Sequence, residues 1–239
     1  MISYCTTCKG RRWQLEQVLF DNLCRLKDID AEWIIFDYHC PDQLLDNLMR
    51  FPLFSKLLEK EKVKIYRLTE DLPFDMPLAK NAAHVHAIGD IVFNLDADNF
   101  IGISHLELEK LKKDEFLWIS KSLDNGTCGR IGLDRNLFLE VGGYNTALSG
   151  AGYEDIELIR RLLALGKVHV KERGTITPVQ NTRADTLKYI SPELSKDGIY
   201  EINREKAKKI SANGNMKVNP SGLLMYNGFD ITDSIIRLG

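Results

Sequence analysis

Ile91-Val92-Phe93-Asn94-Leu95-Asp96-Ala97-Asp98-Asn99 is the stretch that decides how this chain reads. A short apolar run follows the turn Gly89-Asp90 and ends in two carboxylates one residue apart. The run predicts a buried strand, of the kind found in sheets covered on both faces. In open α/β sheets, ligands bind beyond the carboxyl ends of the strands. Once the extended pleat is broken, Asp96 and Asp98 can face one site. With Asn99 they offer hard oxygen ligands suited to Mg²⁺ or Mn²⁺, and such an ion would neutralise a diphosphate leaving group. The competing account is an acidic turn at a strand end.

Working outward, the upstream chain alternates strand and helix signals. Residues 1–5 are β-prone. Residues 11–26 place Trp13, Leu15, Val18, Leu19, Leu23 and Leu26 near helical period. Ala31 to Phe36 is a continuous apolar run that suits a buried strand. A second helical region follows over 44–58, interrupted near Pro52, and Val63-Lys64-Ile65-Tyr66 alternates as a third strand. Pro73 and Pro77 punctuate a loop before a helix over 79–87. Downstream, the patterns predict a surface helix over 105–113, strands over 116–120 and 128–133, and a short helix over 135–141. An amphipathic helix over 153–165, a strand over 168–170 and a Lys-rich helix near 201–211 complete the reading. The fold class expected is α/β, with a mostly parallel central sheet flanked by helices.

Bulk properties narrow the function classes. At 239 residues the chain is long enough for a full core without metal or disulfide staples. Thirty-two Lys and Arg against 34 Asp and Glu leave a net charge of −2, which supplies no global field for nucleic acid. No apolar run approaches the ~20 residues of a membrane span, and Met1-Ile2-Ser3-Tyr4-Cys5 lacks the marks of a secretion signal. The expected location is cytoplasmic, with peripheral contact at the inner membrane face left open by Lys206, Lys208 and Lys209. Cys5 and Cys8 form a C-x-x-C pair, but no second pair accompanies them, so they read as buried thiols.

A second acidic cluster stands in Gly150-Ala151-Gly152-Tyr153-Glu154-Asp155-Ile156-Glu157. A glycine-rich loop runs there into a helix whose first turn carries Glu154, Asp155 and Glu157. Helix-start electrostatics accounts for such acids, and so does a base held at a helix start facing the D-x-D site. The glycines of 142–152 suggest a segment that orders over a bound ligand, as mobile lids do. The basic run Lys9-Gly10-Arg11-Arg12 suits either closure over phosphates or a solvated helix start.

Taken in order, Thr6-Thr7-Cys8-Lys9-Gly10-Arg11, Ile34-Ile35-Phe36-Asp37, Ala79-Lys80-Asn81-Ala82, Asp96-Ala97-Asp98, Gly142-Gly143-Tyr144 and Gly152-Tyr153-Glu154-Asp155 resemble a GT-A-fold glycosyltransferase of family 2 type. The block from Gly142 to Leu163 is also similar to the C-terminal motif of β-1,4-galactosyltransferases, chondroitin polymerases and polypeptide GalNAc-transferases. The resemblance spans about residues 2–170. It implies a GT-A domain over 1–172, with a donor half of about 1–100 and an acceptor half of about 101–172. Residues 173–239 are then an extension packed on the same domain.

Carried over by position, the resemblance puts Thr7 and Arg11 against the nucleotide and Asp37 at the uracil ring. The family often has two adjacent acids there, where this chain has Asp37-Tyr38. Lys80 stands in for the arginine of an Ala-Arg-Asn stretch and faces the diphosphate. Asp96 would contact the ribose or the metal, and Asp98 the metal. Asp155 matches the catalytic base, Glu154 an acceptor-binding acid, and Gly129 and Arg130 a segment lining the donor sugar. Trp118, just ahead of that segment, is an acceptor-site candidate. Many relatives supply a later histidine to the metal. His169 lies in a strand-like run, which leaves two alternatives: a weakly held metal, or Asn181 or Gln180 as the substitute ligand.

The resemblance implies a metal-dependent hexosyltransferase, with Mn²⁺ or Mg²⁺ as cofactor. It would move galactose or N-acetylgalactosamine from a UDP-sugar to a saccharide or lipid-linked glycan acceptor, in polysaccharide biosynthesis. Inversion with Asp155 as base is what family 2 implies, whereas the GalNAc-transferases sharing the later motif retain configuration. Two other classes stay open: a non-catalytic nucleotide- or glycan-binding module, and a sugar-phosphate nucleotidyltransferase. The last expects a glycine-rich phosphate loop, and Cys8 to Arg12 holds one glycine.

Overall fold

The structure is a computed structural model, described here for residues 1–118, 127–171, 177–191, 198–212, 214 and 216–239. Its first half alternates as the pattern predicts: β1 (Ile2–Cys8), α1 (Arg12–Asp28), β2 (Ala31–Asp37), α2 (Leu44–Leu48), α3 (Pro52–Glu59), β3 (Val63–Leu68), α4 (Met76–Val85) and β4 (Ile91–Asn94). Pro52 does not simply interrupt a helix but opens α3, where its missing N–H costs nothing. The second half adds α5 (Ser104–Leu108), β5 (Glu115–Trp118), β6 (Ile131–Asp134), α6 (Arg135–Glu140), α7 (Glu154–Ala164), β7 (Val168–Lys171), α8 (Arg183–Leu187) and α9 (Ile199–Ala212). It closes with a β8 (Met225–Tyr226) and β9 (Phe229–Asp230) hairpin and β10 (Ile235–Leu238).

One sheet of eight strands in the order β10-β3-β2-β1-β4-β6-β5-β7 carries the molecule. Strands β3, β2, β1 and β4 run parallel, and β6 and β10 pair antiparallel with β4 and β3. Each face holds its own core. Tyr4, Trp33 and Ile35 pack with Leu15, Val18 and Leu19 of α1 on one side. Cys5, Ile34 and Phe36 pack with Leu78, Ala79 and Ala82 of α4 on the other. Cys5 and Cys8 belong to different cores, because residues an odd number apart on a strand face opposite ways.

Several elements depart from the expectations, with α8 and the β8–β9 hairpin among those that the sequence patterns did not announce. The helix predicted over 105–113 ends at Leu108. Leu108 is its last fully buried anchor; beyond it Glu109, Lys110, Lys112 and Lys113 are exposed and Leu111 alone packs on the core, so a second turn has little face to bury. The C-terminal chain also contributes a strand that the sequence reading missed: β10 extends the main sheet along β3. Residues 119–120 of the strand predicted over 116–120 lie outside the described residues. Among the described residues no helix is long and apolar enough to cross a membrane.

Candidate active site

The carboxyl ends of β1 and β4 open onto a cleft of about 420 Å³, lined by Thr7, Lys9, Arg11, Lys80, Asp96, Asp98, Glu154 and Asp155 among others. The parallel pairing of β1 with β4 sets the loop after Cys8 beside the Asp96–Asp98 turn. Asp96 is held from both sides. Its Oδ1 accepts from Asn94 Nδ2 at 2.9 Å, and Gly129 lies so close that a Cβ there would run into Asp96 Oδ2. Asp98 Oδ1 accepts from Asn99 Nδ2 at 2.7 Å, while Oδ2 lies 3.9 Å from Arg11 Nη1. Burial, and then the neighbouring Asp96 charge, push the Asp98 carboxyl up to about 6. Two ionised carboxylates at one turn repel each other, and a hard cation between them removes that repulsion.

The loop after β1 supplies the positive side. Lys9 Nζ is buried, donating to Asp71 Oδ1 at 2.7 Å and to the Leu72 carbonyl at 2.8 Å. Arg11 Nη1 donates to Gln14 Oε1 at 2.9 Å, which ties the guanidinium to the first turn of α1. Gly10 takes φ +65°, and the Tyr189 ring lies where its side chain would be. Only glycine adopts this turn without strain and also leaves room for the ring.

Across the cleft, α4 presents Lys80, one of the largest fully buried side chains. Its Nζ donates to Asp155 Oδ1 at 2.6 Å and to Glu154 Oε1 at 3.0 Å, and lies 5.1 Å from the Tyr144 ring centroid. Burial would lower the Lys80 pKa, but Asp155, Glu154 and Asp96 outweigh it and hold the ammonium charged. Burial instead pushes Asp155 up to about 8; Lys80 opposes the rise, and the charges of Glu154 and Asp96 add to it. Glu154 Oε2 accepts from the Gly152 amide at 2.9 Å. Tyr153, at the entry to α7, takes φ +77°, a strained value for a residue with a side chain. Such strain collects where a neighbouring group must be aimed, and here the next two residues are Glu154 and Asp155.

The glycine-rich segment 142–152 is tied to the rest of the fold by hydrogen bonds at several points. Arg161 Nη2 donates to the Gly143 carbonyl at 2.6 Å, and Asn81 Oδ1 accepts from the Tyr144 amide at 2.8 Å. The Gly150 amide donates to Asp75 Oδ2 at 3.1 Å, while the Gly150 carbonyl accepts from the Met76 amide at 2.8 Å. Asp75 also caps α4 through the Leu78 amide at 3.1 Å. One side chain thereby locks the start of the Lys80 helix to the loop that carries the acids.

Of the residues singled out in the sequence, Thr7, Arg11, Lys80, Asp96, Asp98, Glu154 and Asp155 come together in this cleft. Asp37 does not line it: its carboxylate is buried and accepts from the Cys40 amide at 2.6 Å, closing the turn after β2. Gly129 sits behind Asp96. Arg130 is fully buried, its guanidinium over the Phe93 ring and donating to the Phe100 carbonyl at 2.7 Å. Trp118 and His169 face each other at the β5–β7 edge, outside the cleft, with rings 5.4 Å apart. Gln180 and Asn181, the residues expected to stand in for a histidine, do line the cleft, together with Val179, Asp185 and Tyr189. The Val179 amide donates to the Asp98 carbonyl and the Phe74 amide to the Tyr189 carbonyl, at 2.8 and 2.7 Å. Besides Gln180 and Asn181, the wall carries a local sequence signal in the Thr182 to Asp185 spacing, which forms a capping box at α8.

No protein-family model matches the chain, and no curated protein matches its sequence. Solved structures do match its shape. A mannosyltransferase from Pyrobaculum calidifontis, in complex with GDP-Man and Mn²⁺, has a TM-score of 0.61 at 14% identity. The match covers 92% of this chain and 66% of that one, so this chain spans about two thirds of its length. TarS from S. aureus, in complex with UDP, has a TM-score of 0.58 at 15% identity over 92% of this chain and 76% of its own. Drosophila β-1,4-galactosyltransferase 7, as a mutant in complex with manganese, UDP-Gal and xylobiose, has a TM-score of 0.57 at 15% identity over 93% and 82%. The architecture shared with all three is the GT-A fold, a mostly parallel central sheet flanked by helices.

Proposed function

We propose that the protein transfers a sugar from a nucleoside diphosphate sugar to a saccharide acceptor with the help of a divalent cation. The observation that carries this reading is the division of charge in one cleft. Lys9, Arg11 and Lys80 face Asp96, Asp98, Glu154 and Asp155 at the carboxyl ends of parallel strands. A diphosphate needs the first set, a cation and an activated hydroxyl the second.

Asp96 and Asp98 are a donor set that fits Mg²⁺ or Mn²⁺, which often takes one or two carboxylates and fills its shell from substrate phosphates and water. When bound there, the cation supplies positive charge at the diphosphate leaving group. Arg11 and Lys9 bind the diphosphate from the β1 side. Asp155 takes the proton of the acceptor hydroxyl as its oxygen bonds to the anomeric carbon and the bond to the diphosphate breaks. A pKa near 8 suits that task, since a base works best near ambient pH. Lys80 holds Asp155 and Glu154 in register and keeps a positive charge beside the reaction. UDP with galactose or N-acetylgalactosamine is the donor we favour, on the motif resemblance. The same resemblance favours inversion of configuration and a glycan or lipid-linked acceptor.

The reading is tested by incubating the protein with a panel of UDP- and GDP-sugars, Mn²⁺ and mixed oligosaccharide acceptors, and measuring nucleoside diphosphate release. Release that falls at least about 100-fold in Asp155→Asn supports a base worth the usual general-base factor. Release that is unchanged in that variant contradicts it.

A further inference from the structure

A second groove, of about 330 Å³, lies on the other side of Phe74 from the charged cleft, and Phe74 lines both. Its walls come from parts of the chain far apart in sequence: the loop entering α4, Thr146 and Ser149 of the glycine-rich segment, Ser191, and the β8–β9 hairpin with Tyr226 and Asn227. The chemistry of the two hollows differs. The cleft carries Lys9, Arg11 and Lys80, whereas no Lys or Arg is among the described residues lining the groove. Asp75, the one charged group among the described residues of the lining, is buried and already accepts from the Leu78 and Gly150 amides. Among the described residues a phosphate has no cation to pair with there.

What the groove offers is two half-buried aromatic rings, Phe74 and Tyr226, beside hydroxyl and amide groups. Ser149 gives only its carbonyl to Asn203, and the hydroxyls of Ser149 and Ser191 hydrogen-bond to none of the described residues. Hydroxyls both donate and accept, as sugar hydroxyls do, and an aromatic face takes the C–H face of a pyranose. The volume falls at the small end of ordinary ligand sites, and a few fixed polar groups on an apolar wall are how such sites set orientation. Phe74-Asp75-Met76 forms the partition between the hollows, and Asp75 pins it to Gly150, five residues before Asp155.

We propose that this groove is a saccharide subsite, in which Tyr226 is the packing platform and Ser149 and Ser191 are the hydrogen-bonding groups for a neutral sugar unit. Calling that unit part of the acceptor rests on the function proposed above; the groove's affinity for sugar does not.

Saturation-transfer NMR on the full chain with lactose, N-acetyllactosamine, xylobiose, cellobiose and mannobiose tests it. Tyr226→Ala and Ser191→Trp serve as variants, and calorimetric UDP binding serves as control. The expected result is transfer to at least one disaccharide, with affinity at least tenfold weaker in both variants and UDP binding within twofold of wild type. If Tyr226→Ala loses UDP binding as well, Ser191→Trp, which fills the groove from its rim, decides the matter. Transfer to no disaccharide, or equal transfer in wild type and Ser191→Trp, overturns the proposal. Saccharide binding in a protein that never binds a nucleotide sustains the groove and refutes the enzyme.

Discussion

Lys80 Nζ stands 2.6 Å from Asp155 Oδ1 and 3.0 Å from Glu154 Oε1, an ammonium shared by two acids in a pocket where it is 2% exposed. Removing one partner from such a cluster leaves uncompensated buried charge, which typically costs about 3–5 kcal/mol. Lys80→Met is therefore expected to lose stability of that order in urea unfolding at pH 9, above the value of about 8 at which Asp155 ionises. A loss below about 1 kcal/mol would mean that the cluster is solvated rather than buried.

The pH dependence follows from Asp155. Its carboxyl is pushed up to about 8, chiefly by burial, and a base must be ionised to accept a proton. Below that value kcat/KM is expected to rise about tenfold per pH unit and then level off. Glu154 adds to the upward push, so Glu154→Gln removes a repelling charge and moves the rising limb to lower pH. A limb that stays in place in this variant would separate Glu154 from the base.

Gly10 and Tyr189 make a pair that a double-mutant cycle can read. Gly10→Ala pushes a methyl into the Tyr189 ring and also strains a backbone at φ +65°. Tyr189→Ala relieves the collision but not the strain. Unfolding free energies of the two single variants and the double variant are expected to show coupling of about 0.5–3 kcal/mol. Simple additivity would place the ring away from the loop.

Gly129→Ala tests the support behind Asp96. The added methyl meets Asp96 Oδ2 and displaces the carboxylate from the cleft. UDP affinity in the presence of Mn²⁺ is expected to fall about tenfold or more, equivalent to ~1.4 kcal/mol. Affinity for UDP without metal should change less. Equal losses under both conditions would remove Asp96 from the cation site.

The paired acids were legible because each pair sits at a boundary of one local element. Asp96 and Asp98 follow an apolar strand, and Glu154 and Asp155 open an amphipathic helix; the order of the motifs, through the resemblance they carry, joined the two pairs into one site. The wall made by Val179, Gln180 and Tyr189 had no comparable signal. It reaches the cleft through single backbone bonds to Asp98 and Phe74, which leave no periodicity in the sequence. Asp37 shows the converse: a strand-end acid in the expected place whose carboxylate closes its own turn through the Cys40 amide. Arg130 is polar by composition, yet the loop around Phe100 takes its guanidinium inward. The hydrogen bonds that tie 142–152 to Asn81, Arg161 and Asp75 run between residues 18 to 75 positions apart, so no local sequence pattern announces them.

The central claim is that the Asp96–Asp98 turn binds a nucleoside diphosphate through a divalent cation. Calorimetric titration of UDP into wild type and Asp98→Ala, with and without Mn²⁺, tests it most directly. The account predicts binding that strengthens with Mn²⁺ in the wild type and loses that gain in Asp98→Ala. Binding equally strong with and without Mn²⁺, or unchanged in the variant, would contradict it.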